Sequence, residues 1–481
     1  MNRLSRFERV LFGLLIAMTV AKGVVWIAVL DIWKVADEPA HFDNVQYRAE
    51  NHWRQPIENG EPMDRVLTPT SSNELKRSWQ VSQAFWREKF LPDVRSVPAE
   101  EELRAMAKDP TNRKTSGQMP AINYPGVYYN LATIPYLAFR HHSILARVMA
   151  IRMLSLLFGV LAVSCTFFVA RRAVHSPELA FAASAIVALQ PMASQMTAAV
   201  NNDAGIIGIC GLAFLLQVRM LSKAQSEIGM VDGALLAAVT VLAIFTKTQG
   251  LAMIPGSLFV LLAQLRRRWT LPGRFAPVVA FVVVAAILYF APHLWRVVPP
   301  ATVASSAPHV SLFSLGLKFP GWFLGELHDN LADRMIRQFW GQFGWLDYAL
   351  EGRWFTALAQ TWPLFILGLV ALLSGGLRFG KEDQNWWSRP VIYFAMATTV
   401  LAVSFIFACE FYGENVIKAY GFIQGRNFLF ALPAFAVVLV ASLGALVPER
   451  WRSLMAAMIV SVALAINVGG LLTVIGFLYV G

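Results

Sequence analysis

Runs of apolar residues, many of them long enough for a helix to cross a bilayer, alternate along this chain with short polar joints. A spanning helix takes about 20 mostly apolar residues. Runs that reach or approach that length lie near 10–33, 147–170, 178–199, 203–221, 232–247, 250–265, 275–297, 354–376, 389–411, 427–447 and 453–479. The pattern predicts an all-α, multi-pass transmembrane helical bundle of about eleven spans. The pair between 232 and 265 is short for two spans and reads as a hairpin turning at Thr246-Lys247-Thr248-Gln249-Gly250. The first run lacks a small-residue cleavage site, so it reads as an anchor rather than a cleaved signal peptide.

Residues 123–139, rich in tyrosine and broken by Pro125 and Pro135, are a candidate twelfth span. Basic residues argue against it. With Arg3, Arg6 and Arg9 in the cytoplasm, every inner loop is basic if 123–139 stays out of the bilayer: Arg171-Arg172, Arg219/Lys223, Arg266-Arg267-Arg268, Arg378/Lys381 and Arg450/Arg452. If it crosses, the triple arginine moves outside and the pattern inverts. The segment is therefore expected at the outer interface. This topology leaves outer segments at roughly 34–146, 298–353 and 412–426. A small cap of two or three helices is expected at 56–118, from the amphipathic stretch 73–90 and a helix start at Ser96 to Glu102. Two modules are expected, 1–300 with the first outer loop and 301–481 with the loop 298–353.

Composition agrees with a membrane protein, at 56% hydrophobic and 15% charged residues. It excludes a disordered chain and a secreted disulfide scaffold. The net charge of +11 is mostly the inner-loop arginines, not a nucleic-acid footprint. Cys165, Cys210 and Cys409 lie in separate apolar runs, without the spacing of a zinc site or a disulfide framework.

Chemistry-bearing residues gather at the expected outer face. Asp37-Glu38-Pro39-Ala40-His41-Phe42-Asp43 follows the first span, with Pro39 placed for the first helical position, Glu38 as cap and Asp37 just outside. Phe42, Val45 and Ala49 share a face, while Asp43, Asn44 and Arg48 point elsewhere, as in a helix lying on the membrane. Acidic helix starts are common. A carboxylate where water is restricted can also act as a base. Asp37 and His41, four apart, could share a divalent metal near Asp37, although so few ligands do not assign one. Asn201-Asn202-Asp203 is either a helix cap or a polar group facing a cavity. Lys247 in the hairpin turn either snorkels or meets a lipid phosphate. The stretch Arg334 to Asp347 interleaves Arg337, Trp340 and Trp345 with glycines and glutamines, suiting an aromatic belt or a sugar platform. Gln424-Gly425-Arg426-Asn427 puts an outer arginine against the positive-inside bias, and a phosphate is its natural partner. Glu410, Glu414 and Lys418 are equally compatible with an ion-pair network there.

With these segments in place, the chain resembles the GT-C superfamily of membrane glycosyltransferases, and within it a bacterial branch of multi-pass proteins. The resemblance rests on an ordered set: Asp37-Glu38-Pro39-Ala40-His41-Phe42; Asn123-Tyr124-Pro125 with Tyr128-Tyr129; Arg152; Pro191 with Asn202-Asp203; Thr246-Lys247; Phe339-Trp340-Gly341 with Phe343 to Asp347; and Gln424-Gly425-Arg426. It implies a GT-C-type bundle whose large first outer loop carries two juxtamembrane helices. It further implies a catalytic acid in that loop, falling on Asp37, and transfer of sugar from a polyprenyl-phosphate donor to a lipid, glycan or protein acceptor outside the bacterial cytoplasmic membrane, usually with inversion. The chain departs from the branch at Asn427, where tyrosine is common, and at Gly126, where a second proline is.

The expected roles follow. Asp37 is the base, with Glu38 or His41 orienting it. Lys247, Arg426 and Arg337 hold the leaving phosphate. Asn202, Asp203, Tyr128, Trp340, Trp345 and Gln424 face sugar or acceptor. Two other classes use the same outer loops: a lipid-linked glycan flippase or transporter, and an envelope polysaccharide polymerase. Transporters more often place ionisable groups at the midplane and show repeated halves, and neither is visible here.

Overall fold

The computed structural model describes residues 4–54, 71–87, 97–115, 124–222, 228–267, 275–290, 312–374, 386–417 and 423–480. The architecture is all-α. Among the described residues the only strands are a two-residue antiparallel pair, Gln342–Phe343 with Tyr348–Ala349.

Among the described residues, eight helical stretches are long and apolar enough to cross a membrane. They are α1 (Arg6–Val29), α6 (Ile144–Ala173), α9 (Asn202–Ser222), a stretch containing α11 (Met253–Arg267), α15 (Gly352–Leu373), α16 (Arg389–Tyr412), a stretch ending in α17 (Leu432–Gly444), and one containing α18 (Arg452–Ile475). The expected span at 178–199 is instead two helices, α7 (Pro177–Leu189) and α8 (Pro191–Thr197), bent by 61° at Gln190. Pro191 explains the bend, because it offers no N–H and keeps Gln190 out of the helical region. Gln190 is extended, and its side chain caps the new helix at Ala193 N. The hairpin arm α10 (Met230–Ile244) has only 15 residues, and α12 (Ala276–Phe290) runs up to the last described residue of its segment. Every expected apolar run therefore contains a helix, and among the described residues eight stretches, or nine with the bent pair, meet the length for a span.

The segment between α1 and α6, expected as the first outer loop, holds the expected helices and is more deeply buried than expected. Juxtamembrane α2 (Glu38–Glu50) and α5 (Val127–Ala138) pack on each other. At 12 residues, about 18 Å, α5 is too short to cross the roughly 30 Å hydrocarbon core. Asp37 rather than Glu38 is the N-cap of α2, so Pro39 is its second residue. Asp43, Asn44 and Arg48, expected to point away from the apolar face, are all buried. The cause is cover on two sides: α5 takes Arg48, which donates to Asn130 Oδ1 at 2.9 Å and lies over the Tyr129 ring, while the cap, with α3 (Asn73–Arg87) and α4 (Val97–Lys108), supplies Glu74 and Ser72 to Gln46 and Thr115 to Asp43. Glu74 of α3 pairs with Arg147 of α6 at 2.6 Å, both fully buried. Trp33 Nε1 donates to Ser78 Oγ at 3.1 Å, and Lys34 Nζ to the Ser82 carbonyl at 2.8 Å. The cap is thus fastened to the membrane helices.

Candidate active site

Asp37 is held at the turn between α1 and α2 by the residue after it. Glu38 is buried and receives Arg152 through both oxygens at 2.8 Å, together with the amides of Trp33 at 3.0 Å and Val200 at 2.9 Å. These bonds tie the loop to α6 and to the start of α9. They engage Glu38 as a structural anchor rather than as a partner of Asp37. Asp37 itself adopts a left-handed backbone at φ 64°, a region that aspartate and asparagine tolerate better than most side chains. Its carboxylate accepts from Arg426 at 2.9 Å. The side chain is 38% exposed, so it is open on one side. Burial pushes its carboxyl up, but the Arg426 guanidinium, with Lys247 behind it, outweighs burial and holds it below the usual carboxylate range.

Arg426 is placed by a close backbone approach. A Cβ on Gly425 would lie 2.0 Å from the amide of Phe339, so only glycine lets this segment pass the turn at 338–339. The Gly425 amide donates to Gln338 Oε1 at 3.1 Å. Arg426 Nε in turn donates to Gln424 Oε1 at 2.9 Å. Lys247, at the tip of the α10–α11 hairpin, donates to Asp203 and, at 3.3 Å, to Asn427 Oδ1. Asp203 is set at the head of α9 by its amide bond to Asn201 Oδ1, 2.8 Å. Lys247, Gln249, Gln424, Arg426, Asn427 and Tyr124 line one cavity of about 270 Å³. Asp37 is bonded to one of these lining residues, Arg426.

His41, one turn along α2, is buried between the rings of Tyr124 and Tyr129, and its Nδ1 bonds to the Tyr129 hydroxyl at 2.7 Å. Burial pushes its imidazole down to about 4, so it is neutral at physiological pH. Among the described residues, no three His, Cys, Asp or Glu side chains come together as metal ligands would.

The remaining candidates divide. Gln424 walls the cavity. Asn202 is buried near it in sequence, with neither amide atom bonded within the protein. Tyr128 is fully buried and clamps Ser155 at 2.8 Å and the Asn201 amide at 3.0 Å, which makes it a support under the site rather than a wall. Trp345 donates to the Trp33 carbonyl at 3.1 Å and leans edge-on against Trp79, bracing the loop before Asp37. Trp340 lines a separate apolar groove of about 430 Å³ between α15, α17 and α18. Arg337 lies over the Phe355 ring, outside the cavity lining. Asn123 and Lys418 fall outside the described residues. Glu410 and Glu414 join a local network, accepting from the Ile423 amide and from Trp322 Nε1. Tyr124, Gln249 and Asn427 stand in the quoted motifs without a role and line the cavity. Their signal was a polar side chain at the mouth of an apolar run.

A membrane bundle with a cationic, half-open cavity at one end is the class these features define. The chain belongs to the family described as predicted membrane protein (DUF2142), which matches over residues 21–434. No curated protein sequence matches it. Among solved structures it is similar to ArnT from Cupriavidus metallidurans in the apo state, at 14% identity and TM-score 0.43, covering 92% of this chain and 62% of that one. It is also similar to the arabinosyltransferase EmbB from Mycobacterium smegmatis, at 12% and 0.47, covering 92% and 31%. A third is the oligosaccharyltransferase AglB from Archaeoglobus fulgidus with an inhibitory peptide and a dolichol-phosphate, at 11% and 0.44, covering 99% and 56%. This chain spans less than two thirds of the length of each of these three.

Proposed function

We propose that the protein is a membrane glycosyltransferase of GT-C type. It moves a sugar from a polyprenyl-phosphate carrier to a lipid, glycan or protein acceptor on the outer side of the bacterial cytoplasmic membrane, with inversion at the anomeric carbon. Its N-terminus faces the cytoplasm. The observation that carries the reading is convergence. Two cations from distant parts of the chain, Lys247 and Arg426, line a single cavity, and Arg426 is bonded to one half-exposed carboxylate, Asp37.

Asp37 accepts the proton of the acceptor hydroxyl. That oxygen forms its bond to the anomeric carbon as the carbon–oxygen bond to phosphate breaks, and the electron pair leaves on the lipid phosphate. Arg426 and Lys247 are preorganised for the charge that develops there. Arg426 is shared. An arriving phosphate draws on the same guanidinium that depresses Asp37 and adds a like charge beside it, so a loaded site leaves Asp37 more basic than an empty one. Asp203 fixes Lys247, and the neutral His41–Tyr129 pair stiffens the helix that carries Asp37.

The test is purified protein in nanodiscs supplied with radiolabelled polyprenyl-phosphate sugars and membrane-derived acceptors. Transfer of label with release of lipid phosphate is the expected result. Movement of intact donor across a liposome membrane without bond cleavage would make the protein a transporter instead. Chain growth on the carrier would make it a polymerase. Labelling of a cysteine placed at His52 by an impermeant thiol reagent checks the side of the membrane, and protection in intact cells would place the cavity on the wrong face.

A further inference from the structure

The apolar groove between α15, α17 and α18 takes no part in the mechanism above. Trp362 and Leu364 of α15 form one lip, and Met458 and Val462 of α18 the other. Leu364 is 52% exposed and Met458 56%, so the groove opens sideways between two helices long enough to span a membrane. Its floor lies deep, on Ile186 and Leu189 of α7, both buried. An apolar slot that reaches a buried helix forfeits packing on every side unless a hydrocarbon chain fills it.

The two ends of the groove differ. One meets Gln190, Pro191 and Trp340, at the bend between α7 and α8. The other meets Leu446 and Met455, which flank the turn joining α17 to α18. Along α18, from Met455 to Ile466, the groove is about 16 Å long at 1.5 Å per residue. That is the depth of one leaflet, half of the roughly 30 Å hydrocarbon core. The α17–α18 turn lies at the end of the bundle away from the cationic cavity. Beyond the other end of α18, the Tyr479 hydroxyl donates to the Val29 carbonyl, close to the turn that holds Asp37. At the α17–α18 turn, Arg450 lies over the ring of the exposed Trp451, and Arg452 over Trp386 at 4.4 Å. Two guanidiniums against one carboxylate, Glu449, leave this turn cationic. Exposed indole and arginine at a helix end suit a layer of acidic headgroups.

We propose that the groove holds an acyl chain of an acidic phospholipid drawn from the leaflet opposite the cationic cavity, with its phosphate at Arg450. The tip of the chain packs on Gln190, Pro191 and Trp340. Gln190 Nε2 donates to the Phe339 carbonyl, and Gly425, next to Arg426, presses on the Phe339 amide. The lipid therefore braces, from behind, the turn on which Arg426 rests. It is a structural ligand and no reactant, so the proposal stands whether or not the protein transfers sugar. A carrier whose phosphate meets Lys247 and Arg426 would have its head at the opposite end of the bundle.

The experiment uses the full chain, stripped of lipid in detergent, with binding read by native mass spectrometry. The probes are dioleoyl phosphatidylglycerol, dioleoyl phosphatidylcholine and farnesyl phosphate, a short isoprenoid phosphate. Phosphatidylglycerol should bind about 5-fold more tightly than phosphatidylcholine, the size of one arginine beside an anionic headgroup, and Arg450→Gln should abolish the preference. Ala463→Phe, in the groove wall, should weaken phosphatidylglycerol by about 10-fold or more, as several methylenes lose their seat. Leu464→Phe, beside it but outside the lining, should not. Saturating phosphatidylglycerol should raise the melting temperature of the unmodified protein and leave that of Ala463→Phe unchanged. Equal effects of the two phenylalanine variants would make the lipid part of the general annulus and overturn the proposal. Equal binding of the two phospholipids would overturn the acidic head, and displacement of phosphatidylglycerol by farnesyl phosphate would assign the groove to an isoprenoid chain instead. Phosphatidylglycerol with a diazirine in mid-chain should cross-link to the groove residues of α15, α17 and α18, and labels scattered over the other lipid-facing helices would overturn the proposal. Cross-linking needs no variant, so it decides the matter even if Ala463→Phe does not fold.

Discussion

Replacing Asp37 by asparagine is the sharpest perturbation the site allows. Asparagine keeps the shape of the side chain and tolerates the left-handed backbone at φ 64°, where alanine would add strain of about 1 kcal/mol or more and blur the result. The change removes the proton acceptor and its charge. Asp37 is 38% exposed but Arg426 only 16%, so the lost charge leaves a largely buried guanidinium short of its carboxylate and should cost about 1–3 kcal/mol of stability, read as a lower melting temperature. Loss of a positioned general base costs typically about 10²- to 10⁴-fold in turnover. Binding of the lipid phosphate should hold or strengthen, because the anion no longer shares Arg426 with Asp37. The assay is initial-rate sugar transfer in nanodiscs, with melting temperature and farnesyl phosphate affinity measured on the same preparation. A folded Asp37→Asn protein with near-normal turnover refutes the assignment of the base. A loss of affinity as large as the loss of rate would recast Asp37 as a binding group.

Three further outcomes follow from the geometry. Lys247→Met, made together with Asp203→Asn so that no buried carboxylate is left alone, should weaken farnesyl phosphate binding by about 10- to 150-fold; equal affinity would remove Lys247 from the phosphate site. Arg152→Met leaves Glu38 buried and uncompensated and should cost about 3–5 kcal/mol, seen as a lower melting temperature, while adding Glu38→Gln should recover much of it; a double variant no better than the single would argue against the anchor. Asp43 is buried, accepts from Thr115 Oγ1 at 2.7 Å, and burial raises its carboxyl to about 7. A folded value above the unfolded one means stability that is complete below about pH 4 and lost as pH rises through 7. Asp43→Asn should therefore gain on the unmodified protein between pH 5 and 8, and parallel melting curves across that range would contradict the assignment.

Much of this was legible in the chain because bilayer physics is severe. Each apolar run from 10–33 to 453–479 holds a helix, and the amphipathic run at 73–90 and the start near Ser96 became α3 and α4. Periodicity did not reveal the break at Gln190, because the flanking residues are apolar on both sides and only Pro191 marks it. It also misjudged α2. Asp43, Asn44 and Arg48 were placed off its apolar face and not read as buried, whereas α5 and the cap cover them through distant pairs such as Arg48 with Asn130 and Glu74 with Arg147, the latter 73 residues apart. Asp37, Lys247 and Arg426 could be named from residue type and position. Their meeting could not, because nothing local encodes which loop faces which. For the same reason Glu38, next to Asp37 in the chain, points to Arg152, and Tyr128 points to Ser155.

Asp37 and Arg426 stand 389 positions apart, and Arg426 belongs to the last fifth of the chain. Membrane helices enter the bilayer in the order in which they leave the ribosome, so Asp37 is delivered early and waits for its guanidinium until all but the final stretches are synthesised. A chain halted between residues 247 and 426 carries the carboxylate and Lys247 without the arginine that pairs with Asp37. On the proposed mechanism its phosphate site is half-built, and full competence comes only at the end of biogenesis.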